Sequence, residues 1–372
     1  ELISTGKFNT DFVVGLRDKG HNVTMLCFYP FYPNWKTKFT DKNIEGVNII
    51  RGGLNLSFTN KTFLRRIILE ISFSFFVLRK FFKYKSDLDI IIPVFPPSFF
   101  FLFLLTFISK KTKKIGMVHD LQEVYSNQKK GLVNKFISFI INKVEKTCYK
   151  GCDKIIFLSS EMKKEAQKLY KLDLSKLITQ YPFITLKKNN SNELDNILKS
   201  DKINIVYSGA LGEKQNPFEL LNFFNEASKS INNSAYHIFS QGVFFNQLKD
   251  LNKNDNIKFH NLVDTKLLEE LYLKSDVQII PQKQGTSKGS LPSKLPNILS
   301  SQCKILVITD SNSELSKLFY KYQLDIIVES WEINKLIYNL NKIIKKNVDF
   351  SHQNRIAENL FTLDKMLDKV LR

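Results

Sequence analysis

Cysteine is scarce in this sequence, and the scarcity excludes two classes of protein. The 372 residues include four cysteines, Cys27, Cys148, Cys152 and Cys303. A small secreted domain held together by disulfides would need a denser cysteine framework. A zinc site would need a second ligand pair beside Cys148 and Cys152, and the sequence places no such pair and no histidine cluster near them. We therefore expect reduced thiols in the core of a cytoplasmic protein.

Long apolar runs are also lacking. The longest, Ser98 to Ile108, has about half of the roughly 20 residues that a membrane-spanning helix needs. We expect a buried helix there, or one that dips into a membrane surface. The first residues are not typical of a signal peptide, so we expect none. Leu2 to Lys7 is typical of a glycine turn whose preceding strand is missing, so we expect the sequence to be a fragment.

Acidic residues are outnumbered by basic ones. The chain has 55 Lys and Arg against 36 Asp and Glu, which gives a net charge of +19. Such a charge favours a polyanionic partner, namely nucleic acid, an anionic membrane surface or a phosphorylated substrate. The alternative is a compositional bias that places dispersed lysines on solvated faces. A single-stranded nucleic-acid platform is disfavoured because aromatic residues and arginine do not alternate regularly.

Segments of strand length alternate with amphipathic segments of helix length along the whole chain, which predicts an α/β fold. We expect two Rossmann-like doubly wound domains, one over residues 1–186 and one over 203–349. Residues 187–202 are polar and lose the periodicity, which indicates a linker. Residues 350–372 are expected to form a C-terminal helix that crosses back to the first domain.

The stretch Ile203 to Pro217 predicts a phosphate-binding turn. It begins as a buried strand, continues through the turn Gly209-Ala210-Leu211-Gly212 and enters a helix at Pro217. Glycine lets the backbone approach an anion, and the first amides of a helix offer it unpaired N–H groups. Lys214 adds a positive charge. The alternative is an ordinary turn between a strand and a helix, many of which contain glycine.

A second group of polar residues follows the predicted strand Ile115 to Val118. His119, Asp120 and Glu123 would lie at the carboxyl end of that strand, where ligands bind in doubly wound sheets. His119 could hold a proton or a sugar hydroxyl, and Asp120 or Glu123 could act as a base or a hydrogen-bond acceptor. The alternative is that Asp120 caps a turn and His119 is a core imidazole.

The loop Gly289 to Lys294 is another glycine and serine turn at the start of a predicted helix. Lys294 falls in the first helical turn, where a cation opposes the helix dipole unless an anion binds. This local conflict indicates a functional site.

The segment Phe63 to Phe82 predicts a basic amphipathic helix, with cations continuing to Lys85. One interpretation is that it docks on an anionic bilayer, together with Ser98 to Lys114. The other is an ordinary helix packed on a sheet.

Four stretches resemble the retaining GT-B glycosyltransferases of family-4 type. They are STGKF near the start, HDLQE after a strand, YSGALGEKQNPFELL, and DVQIIPQ followed by LPSKLPNILSSQCKILVI. The aromatic loop FYPFYPNW supports the same resemblance. The most similar subgroup transfers sugars such as N-acetylfucosamine or fucose in the assembly of bacterial O-antigen, capsule or colanic acid.

The resemblance implies a GT-B fold, with two Rossmann-like domains facing each other across a cleft, and a set of donor-binding residues. These are Gly6, Lys7, Gly209, Ala210, Leu211, Gly212, Lys214, Gln215, Asn261, Leu262, Val263, Ser290, Ser293 and Lys294. His119 would lie near the transferred sugar. The substrate would be a UDP- or GDP-sugar, without a metal or other cofactor, and the acceptor a polyprenyl-diphosphate-linked saccharide at the inner face of the cytoplasmic membrane.

The sequence departs from the family at several positions. Ala210 and Gln215 replace an arginine and a lysine, Gly289 and Asn297 replace an acidic pair, and Gln302 replaces a glycine. Because of these departures, one alternative is a transferase that binds its donor but has no activity. A nucleotide-sugar 2-epimerase is a further alternative, disfavoured by the membrane-like helices, and a nucleic-acid-binding protein is another.

Overall fold

The computed structural model of the chain describes residues 4–31, 35–40, 42–56, 58–59, 62–85, 88–121, 132–189, 191–287 and 291–372. The chain divides into two compact units. The first contains Glu1–Pro182, Lys288–Ser290 and Leu363–Arg372, and the second contains Phe183–Ser287 and Leu291–Thr362. Both units are built from parallel strands and helices, as the alternating sequence pattern predicts.

The first unit contains two parallel sheets. Its strands are β1 (Val23–Phe28), β2 (Val47–Gly52), β3 (Ile90–Ile91), β4 (Val94–Phe95), β5 (Lys113–Val118), β6 (Lys154–Phe157) and β7 (Leu177–Thr179). Its helices are α1 (Ser4–Asp18), α2 (Thr62–Tyr84), α3 (Phe99–Leu104), α4 (Leu132–Lys150) and α5 (Ser160–Tyr170). Strands β1 and β2 form one sheet, and the other has the order β3-β5-β6-β7, with β4 also paired to β5.

Strands β3 and β4 are short and separate, since Pro93 between them has no N–H to donate to a neighbour. One sequence prediction for this unit is wrong. The predicted glycine turn at Leu2 to Lys7 is helical from Ser4 onwards. Lys7 forms an ion pair with Asp11 one helical turn later, which continues the helix back towards its start.

The second unit has a six-stranded parallel sheet and surrounding helices. Its strands are β8 (Ile203–Ser208), β9 (Ser234–Phe239), β10 (Ile257–His260), β11 (Val277–Pro281), β12 (Lys304–Ile308) and β13 (Ile326–Val328). Its helices are α6 (Pro217–Ser230), α7 (Val243–Leu251), α8 (Leu268–Leu273), α9 (Leu295–Leu299), α10 (Glu314–Lys321), α11 (Ile333–Lys345) and α12 (Phe350–Leu360).

The strand order in this sheet is β10-β9-β8-β11-β12-β13. The direction of winding therefore reverses between β8 and β11, and both strands end at the same edge because all pairs are parallel. In doubly wound sheets ligands bind in the crevice beyond the strand ends at this reversal. A ligand is therefore expected to lie beside the residues that follow Ser208 and Pro281.

The segment predicted as a polar linker is partly packed. Leu194 and Leu198 are buried against Val206, Phe239 and Leu271 on one face of the sheet. The residues that these two leucines contact lie in other segments of the chain, so the periodicity of residues 187–202 does not reveal the packing.

The chain end also differs from the sequence prediction, because residues 350–372 form two helices. Helix α12 ends at Phe361, which is only 1% exposed and leaves the helical conformation. The last helix, α13 (Leu363–Leu371), belongs to the first unit and packs on α1, where the absent side chain of Gly15 leaves room for Leu367. In the part of the chain that the structure describes, no helix combines the length and apolar character needed to cross a membrane.

Candidate functional site

The turn after β8 exposes bare backbone at the winding reversal. Gly209 has φ +133°, a conformation that favours glycine, and its N–H donates to the Phe239 carbonyl at 3.0 Å. Among the described residues, the atom nearest to a Cβ placed on Gly209 is the Tyr207 hydroxyl oxygen, 3.9 Å away. The turn therefore leaves open space beside its main chain, as close approach of a ligand requires.

The rest of the turn is held by its own side chains. Tyr207 donates its hydroxyl proton to the Ala210 carbonyl at 2.8 Å, and the Gly212 N–H donates to Gln215 Oε1 at 2.9 Å. Leu211 is buried beneath. Gln215, expected at the ligand, thus caps a 3-10 turn over Glu213–Gln215.

That 3-10 turn corrects the prediction that the glycine turn enters the helix directly. Asn216 follows in the left-handed conformation, with φ +50°, before α6 begins at Pro217. Lys214 lies in the 3-10 turn, and its carbonyl accepts a hydrogen bond from the Lys283 N–H at 2.7 Å. The turn after β8 and the loop after β11 are therefore joined by a main-chain bond.

Lys294 lies beneath the same turn. Its Nζ donates to the carbonyl oxygens of Ser208 at 3.1 Å and Ile279 at 3.0 Å, and lies 4.2 Å from the centre of the Tyr207 ring. Desolvation lowers the pKa of Lys294 to about 7. The two carbonyls and the aromatic face explain how a lysine is accommodated at the start of α9.

Asn297 has a role that the sequence did not suggest. Its Oδ1 accepts hydrogen bonds from the N–H groups of Thr185 at 2.8 Å and Leu186 at 3.1 Å, and its Nδ2 donates to Thr185 Oγ1 at 3.1 Å. The carboxamide, at a position where the resemblance expects a carboxylate, therefore fastens residues 185–186 to α9. The partners are 111 and 112 residues away in sequence, so no local pattern could have identified them.

The other predicted donor residues of this unit are dispersed. Asn261, Leu262 and Val263 follow β10, two strands from β8 and at the same edge of the sheet. Asn261 is exposed, and Val263 packs on the cluster around Phe239. Ser293 is exposed before α9, whereas Ser290 lies outside the described residues.

A pair of histidines near this edge was also missed from the sequence; His237 is buried and His260 is half-buried. His237 Nδ1 and His260 Nε2 are 3.1 Å apart, on the adjacent strands β9 and β10. Desolvation lowers the pKa of His237 to about 3 and that of His260 to about 4, so both rings are neutral near pH 7. Within the described ranges, neither His237 Nε2 nor Ser240 Oγ has a hydrogen-bond partner. Only the strand register brings the pair together.

In the first unit, His119 lies immediately after β5. Its N–H donates to the Phe95 carbonyl at 2.9 Å, and its ring meets that of Phe8 edge-on at 5.0 Å. Burial lowers the pKa of His119 to about 4, which leaves a neutral imidazole whose Nε2 has no partner in the described parts of the chain. Asp120 follows and is half-buried, and Glu123 lies outside the described residues.

Gly6 and Lys7 lie in the first turns of α1, immediately before Phe8. The contact between Phe8 and His119 therefore brings the start of α1 to the carboxyl end of β5. Lys7 is engaged by Asp11. No group of three or more His, Cys, Asp or Glu residues is placed to hold a metal ion in the described chain.

Each unit is an α/β fold with parallel strands. The first unit has a neutral histidine at a strand end, and the second has bare backbone at its winding reversal. Residues 6–188 match the model of Glycosyltransferase Family 4. The chain is also 25% identical over 373 aligned residues to the putative colanic acid biosynthesis glycosyl transferase WcaI of Escherichia coli (strain K12). That alignment covers 92% of this chain and 89% of WcaI.

Solved structures support the fold. Sucrose-phosphate synthase of Thermosynechococcus elongatus has a TM-score of 0.72 at 13% identity, over 97% of this chain and 91% of that one. A trehalose 6-phosphate synthase of Burkholderia multivorans has a TM-score of 0.63 at 8% identity, over 97% and 93%. At these identities the likeness concerns the fold alone, which is that of the GT-B glycosyltransferases.

Proposed function

We propose that this protein is a retaining glycosyltransferase that moves a sugar from a UDP- or GDP-sugar to a lipid-linked saccharide in bacterial surface polysaccharide biosynthesis. The observation that carries the proposal is the open backbone of Gly209 at the winding reversal of the second unit. The family match of residues 6–188 and the similarity to WcaI support the same reaction class.

The donor diphosphate would lie over the turn Gly209 to Gly212. Bare main chain permits an anion to approach, and Lys214 supplies a cation beside the turn. Lys294 binds the carbonyl oxygens of Ser208, at the end of β8, and Ile279, in the middle of β11, and so fixes these two neighbouring strands below the turn. Charge that develops on the leaving diphosphate would be stabilised by Lys214 and by the N–H groups of Ala210 and Leu211 in the turn, without a metal ion.

His119 would contact the transferred sugar. A pKa near 4 makes its imidazole neutral at pH 7, so it can exchange hydrogen bonds with a hydroxyl but carries no proton to deliver as an acid. Its Nε2, which has no hydrogen-bond partner among the described residues, would be the atom that contacts the sugar. Asp120, the next residue, would take part in orienting the acceptor.

The acceptor would be a polyprenyl-diphosphate-linked saccharide, reached at the anionic inner face of the cytoplasmic membrane. The net charge of +19 and the basic amphipathic helix α2 support a lipid-linked acceptor.

Thermal unfolding in the presence of a panel of UDP- and GDP-sugars tests the donor. A ligand at about one hundred times its dissociation constant adds roughly 2.7 kcal/mol to the free energy of unfolding. We expect stabilisation by one nucleotide class, followed by release of the nucleoside diphosphate when a lipid-linked saccharide is added and by an unchanged anomeric configuration in the product. If no nucleotide sugar stabilises the protein, the proposal fails.

A transferase that binds its donor but is inactive is the second candidate. It is favoured by Asn297, whose carboxamide is engaged with Thr185 and Leu186 where the resemblance expects a donor-binding carboxylate. Donor-dependent stabilisation without any release of nucleoside diphosphate would support this candidate. Retention on DNA without a response to nucleotide sugars would instead support a nucleic-acid-binding protein.

A further inference from the structure

We propose that the first unit docks on an anionic lipid bilayer through one exposed apolar stripe, formed by Ile71, Phe75 and Phe82 of α2 with Phe103 and Phe107 at and beyond α3. The proposal rests on the proposed function in one respect, because a lipid-linked acceptor is found at such a surface. It adds the contact surface and its orientation.

The residues of this docking stripe are large, apolar and solvent-exposed. Phe75 is 69% exposed and Ile71 is 63% exposed, while Phe82, Phe103 and Phe107 each expose nearly half of their surface. The rings of Phe82 and Phe107 lie 5.1 Å apart, so α2 and the segment just beyond α3 present one continuous surface. Ile71, Phe75 and Phe82 follow one another at helical spacing along a single side of α2.

The stripe is additional to the side of α2 that faces the core. Val77 and Phe81 are buried in the core of the first unit, and Ser74 is buried as well. Glu70, also buried, accepts hydrogen bonds at 3.0 Å from the N–H groups of Ser98 and Phe99 and thereby fixes α2 to the start of α3. The helix therefore already has its internal partners, and its exposed side needs a separate explanation.

Cations border the stripe. Arg79, Lys83 and Lys85 are exposed on or beside α2, and Lys110 and Lys111 are exposed shortly after Phe107. Lys85 Nζ lies 5.4 Å from the centre of the Phe82 ring, which joins a cation directly to the apolar surface. Glu70 is the one acidic residue in the sequence Thr62–Tyr84, and it is buried.

The combination of exposed apolar side chains and bordering cations fits an anionic lipid bilayer. Apolar side chains can enter the boundary between headgroups and acyl chains, while surrounding lysines and arginines meet lipid phosphates. A second copy of the same surface would place these cations against like charges, which disfavours self-association through the stripe.

The stripe is connected to the candidate catalytic edge by described contacts. Phe73 and Phe76, next to Phe75, pack against Phe28 at the end of β1. Glu70, next to Ile71, binds the chain just beyond β4, and Phe95 at the end of β4 accepts the hydrogen bond from the His119 N–H. Docking would therefore bring the strand ends that carry His119 close to the headgroups, where a lipid-linked diphosphate is held.

Co-sedimentation of the full chain with vesicles tests the proposal. Vesicles of phosphatidylcholine with about 30% phosphatidylglycerol should bind the wild-type protein, and vesicles of phosphatidylcholine alone should bind it at least about tenfold less. The double variant Ile71→Ser/Phe75→Ser should bind anionic vesicles about tenfold less tightly, because it removes the most exposed apolar side chains. Arg79→Glu/Lys83→Glu should weaken binding and reduce its dependence on salt.

Matched controls lie in the second unit. Leu251→Ser/Tyr338→Ser replaces side chains that are 60% and 68% exposed, and Lys342→Glu/Lys345→Glu reverses two charges in the last turn of α11. Both control variants should bind anionic vesicles as the wild type does. Equal loss in the stripe and control variants, or no binding by the wild type, would overturn the proposal.

Two further measurements separate the possible failures. Sedimentation velocity that shows a dimer dissociating on Ile71→Ser/Phe75→Ser would overturn the proposal in favour of an interface between copies. Stabilisation by nucleotide sugars should be the same in this variant as in the wild type. Vesicle binding without any such stabilisation would support the docking surface while contradicting the proposed function.

Discussion

The Lys294 ammonium lies 3.1 Å from the carbonyl oxygen of Ser208, the last residue of β8, and it also binds the Ile279 carbonyl of β11. These two strands are the neighbours between which the winding of the second unit reverses. One side chain therefore joins the end of β8 to the middle of β11, the two strands that support the candidate donor site. A lysine in this setting is held by main-chain oxygens and an aromatic ring, without a carboxylate partner in its hydrogen bonds.

The Lys294 environment predicts a pH-dependent contribution to stability. Its pKa falls from 10.5 to about 7, so between these values the unfolded chain binds more protons than the folded one, and stability rises with pH. Between pH 7 and about 8.5, the wild type should gain about 1–2 kcal/mol relative to Lys294→Met in urea unfolding. Lys304→Met, which removes a lysine bound to the Ile344 carbonyl, serves as the control and should keep the wild-type slope. Parallel curves for the wild type and Lys294→Met would contradict the assignment.

We expect a large loss of stability when the Asn297 side chain, which binds Thr185 and Leu186, is truncated. Asn297→Ala leaves the N–H groups of Thr185 and Leu186 without their side-chain acceptor, at a cost of about 1–3 kcal/mol for each group that stays buried. Asn297→Asp keeps the acceptor oxygens and should lose much less. Urea unfolding of the two variants measures the difference, and equal losses would mean that the side chain acts by packing alone.

The histidine pair predicts sensitivity to acid. The pKa values of His237 and His260 are lowered in the folded chain, so the unfolded state takes up protons first as the pH falls below about 6.5, and stability decreases towards pH 4. His237→Phe should remove about 1–2 kcal/mol of the decrease between pH 7 and pH 5. His21→Asn, on an exposed turn, should behave as the wild type. A pH slope unchanged in His237→Phe would show that the decrease arises elsewhere.

The cysteines predict a selective reaction with thiol reagents. Cys148, Cys152 and Cys303 are buried free thiols, and desolvation raises the pKa of each. Desolvation raises the pKa of Cys27 as well, but Cys27 is only half-buried, so its thiol is the most accessible and should react first in the native protein. Titration with an aromatic disulfide should therefore modify Cys27 in the folded chain and the other three only after unfolding. Rapid modification of Cys303 in the native state would contradict its placement in the core.

The sequence was most informative where structure is local. The strand Ile203–Ser208, the turn at Gly209 and the helix at Pro217 each follow from composition and spacing within a few residues. The cap of α5 is similarly local, since Ser159 Oγ accepts the Met162 N–H at 3.0 Å and serine is a favoured residue at this position.

The sequence was least informative where partners are distant. The sequence around Lys294 predicts that this residue faces an anion. Its actual partners, the carbonyl groups of Ser208 and Ile279, depend on how three separate segments meet, which the local sequence does not reveal. From the sequence, Asn297 differs from the resembling family only by lacking a carboxylate, and no local pattern points to His237. Each of these roles depends on strand register or tertiary contact, which periodicity within one segment does not encode.

Isothermal titration of UDP and of GDP into the wild type, Gly209→Ala and Gly20→Ala tests the central claim most directly. Both glycines have positive φ, +133° for Gly209 and +87° for Gly20, and no described atom lies within 4 Å of a Cβ on Gly20, so Gly20→Ala controls for the backbone strain that alanine brings at a positive φ. We predict that one nucleotide binds the wild type and Gly20→Ala alike and binds Gly209→Ala at least about tenfold more weakly, because a methyl group would occupy the space beside the turn. Equal affinity in Gly209→Ala, or no binding of either nucleotide to the wild type, would contradict a donor site at this turn.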